Sequence, residues 1–354
     1  MPFIWRFGFV LRSGKRLGHK TRSRALYDRN FAPEHRKLLE GGLQIAQDWD
    51  SNAAPQARCL LQWSREMRYH KPTSFADAAA IAAAATGTLR FLAGGTDVLV
   101  QMRAGMVQPD DLIDLKNIPD VDQISQTPDG GWRIGVAVPG IVLGAHGGLT
   151  RDWPGVVEGM NLVGSTQVQG RATLVGNLCN GSPAADSVPG MIAAGAKVAV
   201  TGPNGSREIP VEQIPAGPGR INLTKGEVIS ALILPPRGKH GGDAYLRFIP
   251  RTEMDIAVVG CAVNLRLDGD KIIEARVALG AVAPTVILSE AAAKAIIGTK
   301  LDAAALQALT SAAEASAKPI SDKRGTAEFR TEVVGVLARR SAKIAYDRAK
   351  GQGK

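Results

Sequence analysis

Cysteine is scarce in this 354-residue chain. Only Cys59, Cys179 and Cys261 are present, and no Cys-x-x-Cys occurs. That spacing argues against an iron–sulfur or zinc site built by this chain, and it supplies no disulfide framework. Histidine is also thin. His19, His35, His70, His146 and His240 are scattered, and none pairs at helical ligand spacing, so metal chemistry is not expected. Aromatic residues make up 5%. A nucleic-acid surface interleaves bases with aromatics, so a nucleic-acid partner is not expected despite a net charge of +10. There is no run of 18 apolar residues, which excludes a transmembrane helix and stable membrane insertion. Several signatures are missing as well. No Gly-x-Gly-x-x-Gly follows a strand, and no Gly-x-x-x-x-Gly-Lys-Ser/Thr, His-Glu-x-x-His or Gly-x-Ser-x-Gly occurs. A Rossmann dinucleotide domain, a P-loop NTPase, a zinc protease and an α/β-hydrolase lose their support.

What remains is a globular composition. Apolar residues reach 45% and charged residues 21%, enough for a packed core. The length suits two or three domains, and 40 glycines with 20 prolines point to many tight turns. A reducing, cytoplasmic setting fits the cysteine usage. The basic charge is uneven: residues 1–66 hold 12 Lys or Arg against 6 Asp or Glu. Their opening, MPFIWRFGFVLRSGKR, places apolar residues ahead of the bases, the reverse of a secretory signal. Residues 1–66 are read as a basic extension, disordered or upstream of the true start, with an amphipathic membrane anchor as the other reading. No function is assigned to them. A domain-like start stands at Met67.

From there the pattern is mixed. Thr73 or Ser74 caps a helix through Ala85. Leu89–Leu92 reads as a strand, Gly94-Gly95 as a turn, Thr96–Arg103 as helix and Leu112–Leu115 as a second strand, a βαβ-like unit. Residues 121–160 hold strand and turn material (WRIGVAVP), then a helix around Val156–Leu162. Residues 164–182 read as a Gly- and Asn-rich loop. Ala184–Ala194 follows as helix, with strands at Lys197–Thr201 and Val228–Leu234. Residues 237–242 (RGKHGG) read as a linker. Strands are then expected at Ala244–Ile249, Ala257–Leu267 and Ile272–Leu279, the last two joined by Asp268-Gly269-Asp270. Helices are expected at Glu290–Ile297, Asp302–Ala315 and Ala327–Ala349.

Three stretches could carry chemistry. In Leu92-Ala93-Gly94-Gly95-Thr96-Asp97, paired glycines let main chain approach a diphosphate, and Thr96 adds a hydroxyl. The plain alternative is a tight turn. In Thr173-Leu174-Val175-Gly176-Asn177-Leu178-Cys179-Asn180-Gly181-Ser182-Pro183-Ala184-Ala185-Asp186, hydroxyls, amides and one acid lie within fourteen positions. Asp186 either compensates a helix dipole or accepts from ribose or ribityl hydroxyls. Cys179 has no nearby His and reads as a small filler rather than a nucleophile. In Arg247-Phe248-Ile249-Pro250-Arg251-Thr252-Glu253-Met254-Asp255-Ile256-Ala257, charges bracket an apolar strand. A surface salt bridge is the plain reading.

Together FLAGGTDVLVQMR, TLVGNLCNGSPAAD and RFIPRTEMDIAVVG resemble the FAD-binding medium subunit of the molybdenum hydroxylases, the xanthine dehydrogenase and carbon monoxide dehydrogenase family. The resemblance spans about residues 67–350. It implies an α+β fold: a vanillyl-alcohol-oxidase-type FAD-binding domain of two α/β subdomains over 67–237, then a C-terminal domain over 243–354 with a three-stranded antiparallel sheet and three helices. It implies that Leu92, Ala93, Gly94, Gly95, Thr96, Asp97 and Val98 wrap the FAD diphosphate. Thr173, Gly176, Asn177, Asn180 and Asp186 would contact diphosphate, ribityl and ribose groups. Ile229 would border the isoalloxazine, Arg247 would lie near the ring, and Asp255 and Ile256 would sit beside it. The chain departs from the family at Val175, where relatives carry the first of two glycines, and at Ile256, where some carry Tyr. The implied role is electron transfer through FAD to NAD or another acceptor. The implied partners are a large molybdenum-cofactor subunit and a small [2Fe–2S] subunit, in a heterotrimer. No catalytic acid or base is then needed on this chain, and the iron–sulfur clusters missing from its cysteine pattern would come from the partner. A self-contained FAD-dependent oxidase or reductase and a non-enzymatic basic binding module are the competing readings.

Overall fold

The computed structural model describes residues 67–352. The expectations for residues 1–66 lie outside the described residues. β1 (Arg68–His70) leads into α1 (Phe75–Ala84), which Ser74 starts by accepting a hydrogen bond from Asp77 N. A side-chain acceptor here satisfies an amide that the first turn leaves without an intrahelical partner. α1 turns Ala78, Ala79 and Ala82 inward. β2 (Leu89–Leu92), α2 (Val98–Arg103) and β3 (Asp111–Asp114) follow. The three strands pair in parallel in the order β1-β3-β2, the βαβ arrangement expected.

Every residue of β3 is buried, including two acids. Asp111 accepts from Arg68 Nε at 2.7 Å and Nη2 at 2.6 Å and lies 2.8 Å from His70 Nε2. The Arg68 and His70 hydrogen bonds hold its carboxyl at about 2, well below the usual range. A depressed pKa gives stability that is present above the unfolded value near 4 and is lost as pH falls toward 2. Asp111→Asn is therefore expected to flatten the acid limb of a pH-denaturation curve between about pH 4 and 2. Circular dichroism of both proteins across that window checks it, and an unchanged acid limb would contradict the assignment.

The second sheet is antiparallel at every pairing. It contains β4 (Ile124–Gln126) and β5 (Trp132–Gly135). A helical stretch follows: α3 (Gly140–Ala145), α4 (Gly147–Asp152), α5 (Pro154–Asn161), α6 (Thr166–Gln169), α7 (Leu174–Cys179) and α8 (Ser187–Ala193). β6 (Lys197–Gly202), β7 (Gly205–Pro210), the small pair β8 (Pro215–Gly217) and β9 (Arg220–Ile221), and β10 (Val228–Leu234) complete this part. The sheet order is β4-β5-β10-β6-β7. Central β10 reads VISALIL, a nearly continuous apolar run, as a strand covered on both faces requires. Residues 164–182, expected as a loop, contain α6 and α7. The helix signal there is the Thr173 cap, which a Gly- and Asn-rich composition masks.

The C-terminal sheet runs β11 (Gly241–Phe248), β12 (Val259–Asp268), β13 (Lys271–Gly280) and β14 (Ile287–Leu288), all antiparallel. It thus has four strands, not three. β14 is two residues long, too short for alternation to register in sequence. The linker expectation also shifts: Gly241 and Gly242 belong to β11, and Arg237 pairs with Asp243 at 2.8 Å while stacking on Trp153. Three helices follow as expected: α9 (Glu290–Ile296), α10 (Ala303–Ser316) and α11 (Ala327–Ala349). None of the described helices is long and apolar enough to cross a membrane.

Alternation along this sheet feeds two cores. Ala244, Cys261, Val263, Val277 and Leu279 join α9–α11 in one. Tyr245, Ala262 and Ala278 join the core of residues 78–234 on the other face. α8 lies against that second face and is buried on every side, as a helix apolar all round must be. The end of α11 returns to the first half: Arg348 donates to Asp243 O at 2.7 Å and pairs with Glu158 on α5.

Candidate functional site

A cleft of about 670 Å³ lies between the parallel and the antiparallel sheet, within the range of ligand sites. One wall carries Leu89–Phe91 and residues 93–98. The other carries Ala172, Thr173, Val175–Asn177, Cys179 and Asn180, with Val136 and Ile229. Leu223–Val228 supply a third segment.

The two loops touch through main chain. A β-carbon at Gly94 would fall 2.0 Å from the carbonyl oxygen of Arg171, so only glycine permits this approach. Gly95 has φ +83, a conformation that branched side chains rarely adopt. Glycine at 94 therefore admits the second loop rather than opening space directly toward a ligand. The amides of Gly94, Gly95, Thr96, Asp97 and Val98 donate to no group among the described residues. Five adjacent donors lacking internal acceptors suit a ligand rich in acceptors.

The second loop offers donors too. Thr173 caps α7, its Oγ1 accepting from Gly176 N at 2.9 Å. Asn177 Oδ1 accepts from Ser187 N at 3.2 Å and Ser187 Oγ at 2.7 Å. Asn180 Oδ1 accepts from Gln101 Nε2 at 3.0 Å, tying α2 to the second loop. The acceptor atoms of Thr173, Asn177 and Asn180 are thus occupied from within. The Thr173 hydroxyl proton and both Nδ2 groups have no acceptor among the described residues. Val175, in place of the family's glycine, sits in α7 with its side chain in the core, where no left-handed backbone is required. Cys179 lines the cleft, but burial pushes its thiol up to about 12, which leaves no thiolate at neutral pH.

Eleven of the sixteen sequence-predicted positions come together here: Ala93, Gly94, Gly95, Thr96, Asp97, Val98, Thr173, Gly176, Asn177, Asn180 and Ile229. Leu92, Asp186, Arg247, Asp255 and Ile256 lie outside the lining. Leu92 is buried, and its Cδ1 lies beneath Gly95, 3.0 Å from where a β-carbon would stand. Asp186 accepts from Arg247 Nη1 at 2.6 Å and Tyr245 Oη at 3.1 Å. Burial pushes its pKa up to about 6 against the pull of both partners. Asp255 pairs with Arg251 at 3.1 Å and Arg324 at 3.3 Å, which hold its carboxyl below the usual range. Ile256 is 52% exposed.

Sequence reasoning missed the turn Thr224–Glu227. Glu227 accepts from Thr224 N at 2.8 Å and forms a bidentate pair with Arg207 that holds its carboxyl below the usual range. The signal was the Lys-Gly-Glu turn directly before a strongly apolar strand. Also missed was the bulge between Ile229 and Ala231 on β10, which alters the register of the strand bordering the cleft.

The model of the FAD-binding domain in molybdopterin dehydrogenases matches residues 65–237, and that of the carbon monoxide dehydrogenase flavoprotein C-terminal domain matches 244–345. The chain belongs to the FAD-binding medium subunits of the molybdopterin hydroxylases. It is thus an oxidoreductase component with an FAD-binding domain. The carbon monoxide dehydrogenase medium chain of Afipia carboxidovorans is 33% identical over 293 residues, covering 80% of this chain and 97% of the relative. The xanthine dehydrogenase FAD-binding subunit of Escherichia coli O157:H7 is 30% identical over 285 residues, covering 80% and 97%. The solved carbon monoxide dehydrogenase from Oligotropha carboxidovorans superposes with a TM-score of 0.76 at 33% identity, covering 80% of this medium subunit and 98% of that chain.

Proposed function

We propose that this medium subunit carries FAD in the donor-lined cleft and works as the electron-transfer subunit of a molybdenum-containing hydroxylase or dehydrogenase. Electrons arrive from [2Fe–2S] clusters of a small partner subunit and leave to NAD or another acceptor. A large subunit with the molybdenum cofactor holds the substrate. The site of action is cytoplasmic, and the first half takes the vanillyl-alcohol-oxidase-type arrangement. The single observation that supports this most is the row of donor amides at Gly94–Val98, across the cleft from Thr173 and Asn177, whose side-chain oxygens already accept from within the chain. A diphosphate with its flanking hydroxyls is rich in the acceptors such a wall lacks.

Bound flavin supplies the redox chemistry, and the protein supplies its binding and orientation. Amides of the first loop and the Thr173 hydroxyl would hold the diphosphate. Val136 and Ile229 give an apolar wall for a planar ring. Asp186 and Arg247 act at one remove, by holding the start of α8, where Ser187 donates to Asn177.

Full-length protein titrated with FAD is expected to bind one equivalent and quench its fluorescence. Expressed beside the genes for its large and small partners, it should purify with them and reduce the acceptor only in their presence. No flavin binding after reconstitution would overturn the cofactor assignment. Acceptor reduction by this chain alone, with an organic substrate, would make it a self-contained flavoenzyme.

A further inference from the structure

Asn177 has an orientation that its neighbours decide. A backbone amide can only donate, so the Asn177 atom facing Ser187 N at 3.2 Å must be Oδ1. The amide flip ambiguous for many asparagines is settled here by chemistry. The Ser187 hydroxyl then donates to the same oxygen at 2.7 Å, filling its second lone pair. Asn177 keeps only its Nδ2 protons for the cleft.

Ser187 is fixed in turn. It is the first residue of α8 and is fully buried. Its amide belongs to the first turn, where no intrahelical acceptor exists, so Asn177 fills that vacancy from a different element. The preceding residue, Asp186, is gripped by Tyr245 and Arg247 of β11, and Arg247 is itself 4% exposed. The C-terminal sheet thereby sets where α8 begins.

We infer that Ser187 is a positioning residue that makes Asn177 a donor-only contact, selecting for an acceptor atom of the bound dinucleotide. Ser187 itself touches no ligand in this arrangement. The inference rests on the cleft being the FAD site.

The test uses full-length protein and FAD, with affinity read by flavin fluorescence quenching and the melting temperature of each FAD-free protein as control. Wild-type binding is measured first; if it is absent, the site reading fails before the inference is reached. With binding established, Asn177→Asp keeps both bonds from Ser187 but turns a carboxylate oxygen to the ligand. Its affinity is expected to fall about 100-fold, further than that of Asn177→Ala. Ser187→Thr and Ser187→Val are isosteric, so the crowding of this buried site is the same in both. The Thr variant is expected to bind about 3- to 10-fold more tightly than the Val variant, because only Thr retains the hydroxyl. Asn177→Asp binding as well as wild type would show that Asn177 accepts rather than donates, and would overturn the inference. Equal affinities for the Thr and Val variants would remove Ser187 from the positioning role. If neither residue-187 variant folds, Asn177→Asp still decides the polarity.

Discussion

Gly94→Val is expected to abolish FAD retention and to lower the melting temperature of the FAD-free protein as well. The new β-carbon would stand 2.0 Å from Arg171 O and 2.8 Å from its carbonyl carbon. Both are main-chain atoms, so no rotamer change relieves the clash, and the loops must separate. Such overpacking costs about 3 kcal/mol or more. A loss of FAD affinity beyond 100-fold corresponds to about 2.7 kcal/mol, within that cost. Gly95→Val differs in cause. Its penalty is the left-handed φ, about 1–3 kcal/mol, with Leu92 and Leu99 crowding the new side chain. Gly94→Ala is the sharper probe, because even one methyl meets Arg171. Flavin content after purification and differential scanning calorimetry give both readouts. A Gly94→Ala protein with unchanged flavin content would show that the loops can part without cost.

The buried Asp186–Arg247 pair gives the second large effect. Arg247→Met removes the guanidinium and leaves Asp186 held by the Tyr245 hydroxyl alone. Breaking a buried pair from one side costs about 3–5 kcal/mol. The cost depends on pH with a definite sign. Asp186 has a folded-state pKa raised to about 6, so its contribution is fully present below about pH 4 and is lost as pH rises through 6. Without Arg247 the carboxyl is pushed higher still, and the loss continues into the neutral range. The destabilisation by Arg247→Met is thus expected to be largest at pH 8 and to shrink toward pH 5, where the lone acid is protonated. Asp186→Asn combined with Arg247→Met should recover much of the stability at pH 8. Urea melts at the two pH values check this, and a destabilisation independent of pH would refute it.

How far the sequence revealed this depends on the scale of the feature. Strand β10 and helix α11 were visible in full, because a long apolar run and an i, i+3, i+4 stripe need no tertiary information. The two loops were paired through the family resemblance alone, since a Gly-Gly turn by itself reads equally as a tight turn. The position of Gly94 against Arg171 could not be seen, since that contact joins residues far apart in sequence. The same holds for Asp186. A lone acid before a helix looks like a dipole-compensating surface residue, and only the fold brings Arg247 to it. β14 and the Thr224–Glu227 turn fell below the length at which any periodicity registers.

The grip of Arg348 on Glu158 has a consequence for synthesis. These partners are 190 residues apart, so α5 leaves the ribosome long before its counterpart exists. The nascent flavin half must wait, its α5 flank unsecured, until the final helix is released.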